Sequence, residues 1–486
     1  MGAGHNGLVA AAYLARAGLS VEVFERRELV GGACVTEELW PGVRASPGAY
    51  TLSLLRRRII DDLELAAHGL EVFPHEPYLF APLPDGRKVV TWSDPARTRS
   101  QLAEDWSPAD ADGYAAFSAR WGAAAERARP LMLEPPSRER WLEAIGPQLL
   151  DGPIADELEA IPSEEVRVPF ALQGCIGTLA GPYDPGTAFV GFYHDLGEAV
   201  PGRPGAWGFA RGGMGAVSGA LRSAAEAAGA IVHTEAPVER ILTTEHGAAG
   251  VVLEGGREVP ADVVLSNADP VRTARLTGVD PPRGWSQPGP VVKVMLLLDG
   301  LPSFPSWPGE DAWHGAIDIG FTLGELQQAA DDARAGRAAA APWIEAACQT
   351  AADPTLVTGR GAPTASPRAS GRHVASLFCQ CFPVDVDADA AADAAIARFA
   401  EVCPELPERI VDRLVLGPKQ LEERFGITGG HIFHGEMLET PRPGARDHFA
   451  LDGLYVAGSG AHPGGAVTGA PGYLAARAVL EDLGRS

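Results

Sequence analysis

Met1-Gly-Ala-Gly-His-Asn-Gly7, running through the small-residue stretch Leu8-Val-Ala-Ala-Ala-Tyr-Leu-Ala15 to the strand-like Val21-Glu-Val-Phe-Glu25, is the part of the chain that decides its fold. The glycines at Gly2, Gly4 and Gly7 open a helix that ends near Gly18, and residues 19–25 follow as a strand closing on Glu25. Gly2 permits a tight turn, Gly4 lets the backbone approach a pyrophosphate, and Gly7 lets helix and strand pack closely. The helix N-terminus then presents free N–H groups and a partial positive charge to phosphates. Glu25 stands at the spacing where a carboxylate accepts hydrogen bonds from a ribose.

This pattern predicts a Rossmann-like dinucleotide-binding unit of glutathione-reductase type. Such a unit carries a buried strand immediately before its first glycine, yet only Met1 precedes Gly2. Without that mid-sheet strand backbone groups go unpaired, so an apolar segment several residues long is expected upstream, the given start being truncated or mis-assigned.

Two further glycine segments point to the cofactor. Gly31-Gly32 follows Glu25 closely, in Glu25-Arg-Arg-Glu-Leu-Val-Gly-Gly-Ala-Cys34. A domain for NAD alone has no need of this second turn, which lets the chain wrap the longer FAD molecule. Cys34 invites comparison with the redox pair of flavin disulfide reductases, but the position that would hold its partner is Leu39. At the other end, Leu454-Tyr-Val-Ala-Gly458-Ser-Gly-Ala-His-Pro-Gly-Gly465-Ala-Val-Thr-Gly-Ala-Pro-Gly472 reads strand, glycine loop, helix. The N-terminus of that helix would lie against the pyrimidine end of a flavin, where negative charge gathers on reduction.

The rest of the sequence bounds the answer. A chain of 486 residues exceeds one compact core, and two domains are expected. The formal net charge of −23 argues against a nucleic-acid partner, which needs a basic face. The six cysteines are scattered and form no C-x-x-C pair, so no metal site is expected. Cys379 and Cys381, read as one strand, would share a face as buried thiols. The run at residues 8–15 is too short to span a bilayer, which makes a cytoplasmic location the expectation.

Along the chain, residues 107–129 predict a helix with Ser107 as N-cap and Pro108 in its first turn. Residues 201–215, rich in glycine and proline, mark a crossing between domains. A helix at 216–228 and strands at 231–234, 250–253 and 262–266 follow, and residues 280–290 and 353–372 look like loops. Alternating strands and helices predict an α/β architecture. The expected division is an FAD-binding domain from residues 1–75, 205–280 and 425–486, and a discontinuous α+β substrate-binding domain from residues 76–204 and 281–424.

The three glycine segments, with Gly205-Ala-Trp-Gly-Phe-Ala-Arg-Gly-Gly-Met-Gly215 and Ser266-Asn-Ala-Asp-Pro270, resemble the phytoene desaturase branch of the amine-oxidase-like FAD-dependent superfamily. Residues 174–198, Ile432-Phe-His-Gly435 and residues 458–465 are most similar to its phytoene dehydrogenase-related subgroup, which includes the pyridine nucleotide-disulphide oxidoreductase domain-containing protein 2. The resemblance covers nearly the whole chain, although Ala461 stands where carotene desaturases usually carry Thr. It implies that Gly2, Gly4 and Gly7 hold the pyrophosphate and Glu25 the ribose, with Arg26, Gly31 and Gly32 along the cofactor channel. Val238, in Ala236-Pro-Val-Glu-Arg-Ile241, would contact the adenine through its backbone. Gly458, Ser459 and the amides of Ala466, Val467 and Thr468 would touch the ribityl chain and flavin ring. The implied substrate is apolar and extended. No second Rossmann fingerprint appears mid-chain, so a quinone or dioxygen, and not NAD(P)H, is the expected electron acceptor, with peripheral membrane contact permitted.

Lys293 and His462 are the candidate catalytic residues. Lys293 is the only charge in Val291-Val-Lys-Val-Met-Leu-Leu-Leu298, in a chain whose other lysines are Lys88 and Lys419. It is either an edge-strand lysine reaching solvent or, by resemblance to flavin amine oxidases, a residue that holds a water near flavin N5. His462 and His434 lie in loops that the resemblance places near the flavin, where each could pass a proton or serve as a structural hydrogen-bonding group. The leading expectation is FAD-dependent dehydrogenation or isomerisation of a lipophilic, isoprenoid-type substrate. An amine oxidase and a regulatory flavoprotein with little turnover are the rivals.

Overall fold

The computed structural model describes residues 1–281, 289–357, 371–435, 437–438 and 441–485. The chain opens on helix α1 (His5–Arg16) and strand β1 (Glu22–Phe24). Strands β2 (Leu79–Pro82) and β3 (Lys88–Thr91) and helices α2 (Pro108–Ala128), α3 (Glu164–Cys175) and α4 (Thr187–His194) come next. They are followed by α5 (Met214–Ala227), β4 (Ile231–His233), an antiparallel meander of β5 (Val238–Thr244), β6 (Gly247–Leu253) and β7 (Glu258–Pro260), and β8 (Val264–Ser266). Long strands β9 (Val291–Asp299), β10 (Ala316–Ile319), β11 (Trp343–Cys348), β12 (Arg372–Gln380) and β13 (Ile410–Leu416) lead to helix α6 (Pro418–Phe425). Strand β14 (Leu454–Val456) and helix α7 (Ala470–Asp482) form the tail.

Two separate parallel strand pairs, β1 with β4 and β8 with β14, flank the start of the chain in the Rossmann-like unit. Met1 lies between them: its amino group donates to Leu265 O at 2.6 Å, its carbonyl accepts from Asn267 N at 2.9 Å, and Gly2 N donates to Phe24 O at 2.8 Å. Helix α1 buries Leu8, Val9 and Leu14, and shares an apolar core with α5 residues Val217 and Leu221 and with Tyr473 of α7. Helix α2 begins as its sequence predicts, with Ser107 Oγ accepting from Asp110 N and Pro108 in the first turn.

A second, seven-stranded sheet runs in the order β13-β9-β12-β11-β10-β2-β3. Its pairings are antiparallel except for β10 with β2. Strand β9 is paired on both sides and buried on both faces, which is why it reads as an almost unbroken apolar run. Its outer face, with Val292, Val294 and Leu296, packs on Phe399 and Phe304. The inner face turns toward α2, α3 and α4.

Cys379 and Cys381 do not share a face. Strand β12 ends at Gln380, and Cys381 takes a left-handed conformation with φ +65°. The turn sends Cys379 into the outer cluster and Cys381 into the inner one. All six cysteines are free and buried. The loops expected at 280–290 and 353–372 fall largely outside the described residues, although Pro354–Leu356 forms a 3-10 turn. Among the described residues no helix is long and apolar enough to cross a membrane.

Candidate functional site

The glycine turns of the head and tail converge. Gly2 has φ +84°, and α1 begins without a side-chain cap or an acidic residue in its first turn, so its N–H groups are open to an anion. A Cβ on Gly7 would stand 2.3 Å from Gly2 O, so the turn closes only around glycine. Gly31 N donates to Ala3 O at 2.8 Å, which lays the second turn on the first. Gly32, at φ +61°, faces Gly4, where a Cβ would come within 3.6 Å of the Gly4 Cα. Glu25 is buried and accepts from the backbone N–H of Ala3 (2.8 Å) and Arg27 (2.9 Å), which aims its carboxylate at the turn.

The tail loop meets the head directly. Asn6 Nδ2 donates to Ser459 Oγ at 3.1 Å, and Gly458 packs on Asn267, where a Cβ would lie 2.6 Å from the carbonyl oxygen. Asn267 also packs on Gly2, Gly4 and Gly7, so the Ser266-Asn-Ala-Asp-Pro270 segment joins the cradle. Ala466 (φ +65°) and Val467 (φ +57°) are both left-handed, a costly conformation for a β-branched residue and one typical of ligand clamps. Thr468 is buried; its carbonyl accepts from Arg56 N at 3.1 Å and its hydroxyl from Ala470 N at 3.1 Å. Helix α7 has Gly469 at its N-cap and no acidic residue in its first turn, and Thr468 takes its first N–H.

From this cradle a cavity of ≈ 570 Å³ extends between the two sheets. His5, Ala33 and Cys34, each next to a glycine turn, carry the wall inward, joined by Ser459, Ala466 and Val467. Aromatic residues from the segments around β2 and β3 and from α2 and α3, among them Tyr78, Trp92, Phe117 and Phe170, line the far side. The sheet contributes Val291, Lys293, Glu345 and Phe378.

Lys293 is 2% exposed, on a central strand, and so does not reach solvent as an edge lysine would. Its Nζ stands 3.2 Å from the Tyr50 ring centroid and has no hydrogen-bond partner among the described residues. Burial pushes its pKa well below the ordinary lysine value, against the opposing pull of Glu345. Tyr50 in turn donates its hydroxyl to Glu345.

The remaining candidates separate. His434, left-handed at φ +56°, lines the cavity, and burial lowers its pKa to about 4. His462 is not among the lining residues; it is buried with Nε2 3.4 Å from Leu131 O, and burial lowers it to about 4. Arg26 caps the C-terminal end of α6, donating to Arg424 O at 2.7 Å, and Val238 packs in the small apolar cluster under the meander. Neither lines the cavity. Sequence reading passed over Glu345, Asp318, Tyr50 and Arg442. The Arg442 guanidinium donates to Ser459 O at 2.9 Å and to the carbonyls of Phe433 and Gly435, tying the His434 loop to the tail loop.

His194, on the cavity wall, is 4% exposed, and burial lowers it to about 4. The unfolded chain therefore binds a proton below about pH 6.5 that the native state refuses, so stability falls with pH through the window from 6.5 to 4. At pH 5 this residue costs about 2 kcal/mol. His194→Phe is expected to lose that much less stability than the parent between pH 7.5 and pH 5, as read from urea unfolding midpoints.

Comparison with known proteins places this architecture. Residues 1–63 match the NAD(P)-binding Rossmann-like domain family. Over 557 aligned positions the chain is 36% identical to the rat pyridine nucleotide-disulfide oxidoreductase domain-containing protein 2, covering 99% of this chain and 93% of the relative. The chain belongs to that family. Family membership extends along the full length, so the cavity and the cradle are both inside the shared region. A lycopene-forming phytoene desaturase from a Paracoccus strain is 25% identical over 99% of this chain and 97% of its own. An oxidoreductase structure from Methanosarcina mazei superposes with a TM-score of 0.64 at 19% identity, covering 99% and 98% of the two chains. The fold is that of the FAD-dependent oxidoreductases, with a Rossmann-like domain in a mixed α/β architecture.

Proposed function

We propose that this family member binds FAD in the glycine cradle and dehydrogenates, or isomerises, a lipophilic isoprenoid-type substrate held in the aromatic cavity. The observation that carries the reading is the continuity of the two: the left-handed Ala466–Val467 turn belongs to the cradle and also lines a cavity with a buried lysine on its wall. The bare N-terminus of α1 and the contacting glycine turns fit an extended dinucleotide. Gly2, Gly4, Gly7, Gly31 and Gly32 would take the pyrophosphate region, Glu25 the ribose, Val238 the adenine, and Gly458, Ser459 and the amides of residues 466–468 the ribityl chain and ring.

When bound, FAD supplies the two-electron acceptor, and a quinone or dioxygen reoxidises it. The protein supplies position and exclusion of water. Phe117, Phe170, Trp92 and Tyr78 present flat apolar walls that suit a polyene, and Lys293 offers a lone pair where a water or a substrate hydrogen can be held. The phytoene desaturase relative supports an extended hydrocarbon chain as substrate.

Anaerobic mixing of the FAD-loaded protein with polyenes, polyene alcohols and amines, while flavin absorbance is followed, tests this reading. Bleaching by polyenes or their alcohols is expected. Bleaching by amines alone, or by none of the panel, overturns it.

A further inference from the structure

One row of residues on the inner face of the large sheet is not used by the cofactor reading. Lys293 on β9 is paired in register with Phe378 on β12, Phe378 with Glu345 on β11, and Glu345 with Asp318 on β10. Directly opposed residues share a face, so the row crosses four adjacent strands in the order amine, aromatic ring, carboxyl, carboxyl. Opposed residues on antiparallel strands have Cα atoms about 4.5–5.5 Å apart, which puts the two acidic side chains side by side. Asp318 is 1% exposed and neither of its oxygens has a hydrogen-bond partner among the described residues. Glu345 lines the cavity and accepts from the Tyr50 hydroxyl.

A structural carboxylate in a protein interior is normally surrounded by donors or matched by a cation. This pair has neither arrangement in full. Tyr50 serves one oxygen of Glu345, and Lys293 is held over the Tyr50 ring with no bond to either carboxyl. Two buried carboxylates in contact cannot both stay ionised, so a proton resides on the pair. Other polar groups around the row are Gln173 from α3, whose amide favours the ionised form of both carboxyls, Ser376 and Gln380 flanking Phe378 on the same face of β12, Cys379 near Lys293, and Tyr78 with Asp195 behind it. The residual imbalance lies at the wall where a substrate would sit.

We propose that Glu345 and Asp318 form the acid–base pair of the cavity, Glu345 taking the proton that a substrate carbon releases when its neighbour is oxidised. The inference rests on the dehydrogenation reading above. In that step one C–H bond breaks and its electron pair leaves with the hydrogen to FAD. The adjacent C–H bond breaks with its proton passing to a Glu345 oxygen, and its electrons remain as the new C=C bond. The substrate loses two electrons, FAD gains two, and the proton leaves Glu345 for solvent before the next turnover. Glu345 touches the substrate and is the catalytic residue; Asp318 acts through it, setting how strongly Glu345 holds a proton.

Dicyclohexylcarbodiimide tests the pair without any substrate, because it enters apolar cavities and reacts with protonated carboxyls. Applied at neutral pH to the FAD-loaded full chain and mapped by peptide mass, it is expected to label Glu345 ahead of the other members of a set of 63 acidic residues. In Asp318→Asn the shared proton is lost, and labelling of Glu345 is expected to drop about tenfold for each pKa unit by which Glu345 falls. An unlabelled Glu345, or labelling in Asp318→Asn equal to the parent, overturns the pair. In a second arm, Glu345→Gln is expected to keep FAD and its reduction by dithionite while losing bleaching by the polyene that bleaches the parent. Bleaching of that variant at the parental rate also overturns the proposal. A labelled Glu345 in a protein that no polyene bleaches sinks the dehydrogenation reading instead, so the two failures are told apart.

Discussion

Gly7→Val is expected to yield a purified protein without flavin colour, whereas Gly219→Ala keeps the colour and unfolds at higher urea. Both are glycines near the start or middle of helices, and the difference is what a side chain would meet. At Gly7 even a Cβ would stand 2.3 Å from Gly2 O and 3.1 Å from the Asn267 Cβ. The first obstacle is backbone, so the N-terminus of α1 has to back away from the turn that it closes. Overpacking of this kind costs about 1–3 kcal/mol of stability. Cofactor binding suffers more, because the N–H groups of the helix end lose their aim. The loss of those charge-assisted contacts to phosphate, each worth about 1.5–3 kcal/mol, is enough to strip the cofactor during purification. Gly219, inside α5, has nothing within 4 Å of the added carbon. Alanine there only removes unfolded-state freedom and is worth about 0.5–1 kcal/mol. Equal FAD content in the two variants after gel filtration would refute the cradle.

The same contrast explains what could be read without coordinates. Positive φ and backbone-to-backbone approach admit almost no residue but glycine, so Gly2, Gly7, Gly31 and Gly458 mark themselves locally. Lys293 marks itself through scarcity, as one of three lysines and the only charge in an apolar run. Glu345 and Asp318 lack that scarcity. Each is the one charge of a short apolar segment, Trp343-Ile-Glu-Ala-Ala-Cys348 and Ala316-Ile-Asp-Ile319, but as two of 63 acidic residues they do not stand out. Only the pairing of four strands far apart in sequence puts them in line with Lys293, and register of that kind is not written in local periodicity. His462 shows the opposite failure. It sits inside the most legible motif of the tail, yet the loop buries its ring against Leu131 O and leaves His434 on the wall. Motif membership located the loop but not the direction of the side chain.

Lys293→Met is expected to raise stability and abolish turnover in one step. The amine is desolvated and makes no hydrogen bond among the described residues, while methionine matches its length and leaves nothing polar behind. A buried donor left without a hydrogen bond costs about 1–3 kcal/mol, and an apolar replacement removes that cost. The pH dependence fixes the cause. Burial lowers the folded-state pKa of Lys293, so between that value and about 10.4 the unfolded chain holds a proton that the native state does not. Parental stability therefore rises with pH across that window and becomes whole only above it. The advantage of Lys293→Met should be largest near neutrality and shrink toward pH 10, whereas a simple packing gain would be the same at both. Turnover moves the other way. Loss of the group that holds a water or a substrate hydrogen beside the reacting carbon costs about 10²–10⁴-fold in rate. Flavin content and dithionite reduction should stay at parental levels, since Lys293 belongs to the sheet wall and none of the glycine turns touches it. A variant that unfolds earlier than the parent at pH 7, or that bleaches with the polyene at the parental rate, would show that the lysine serves the fold and not the reaction.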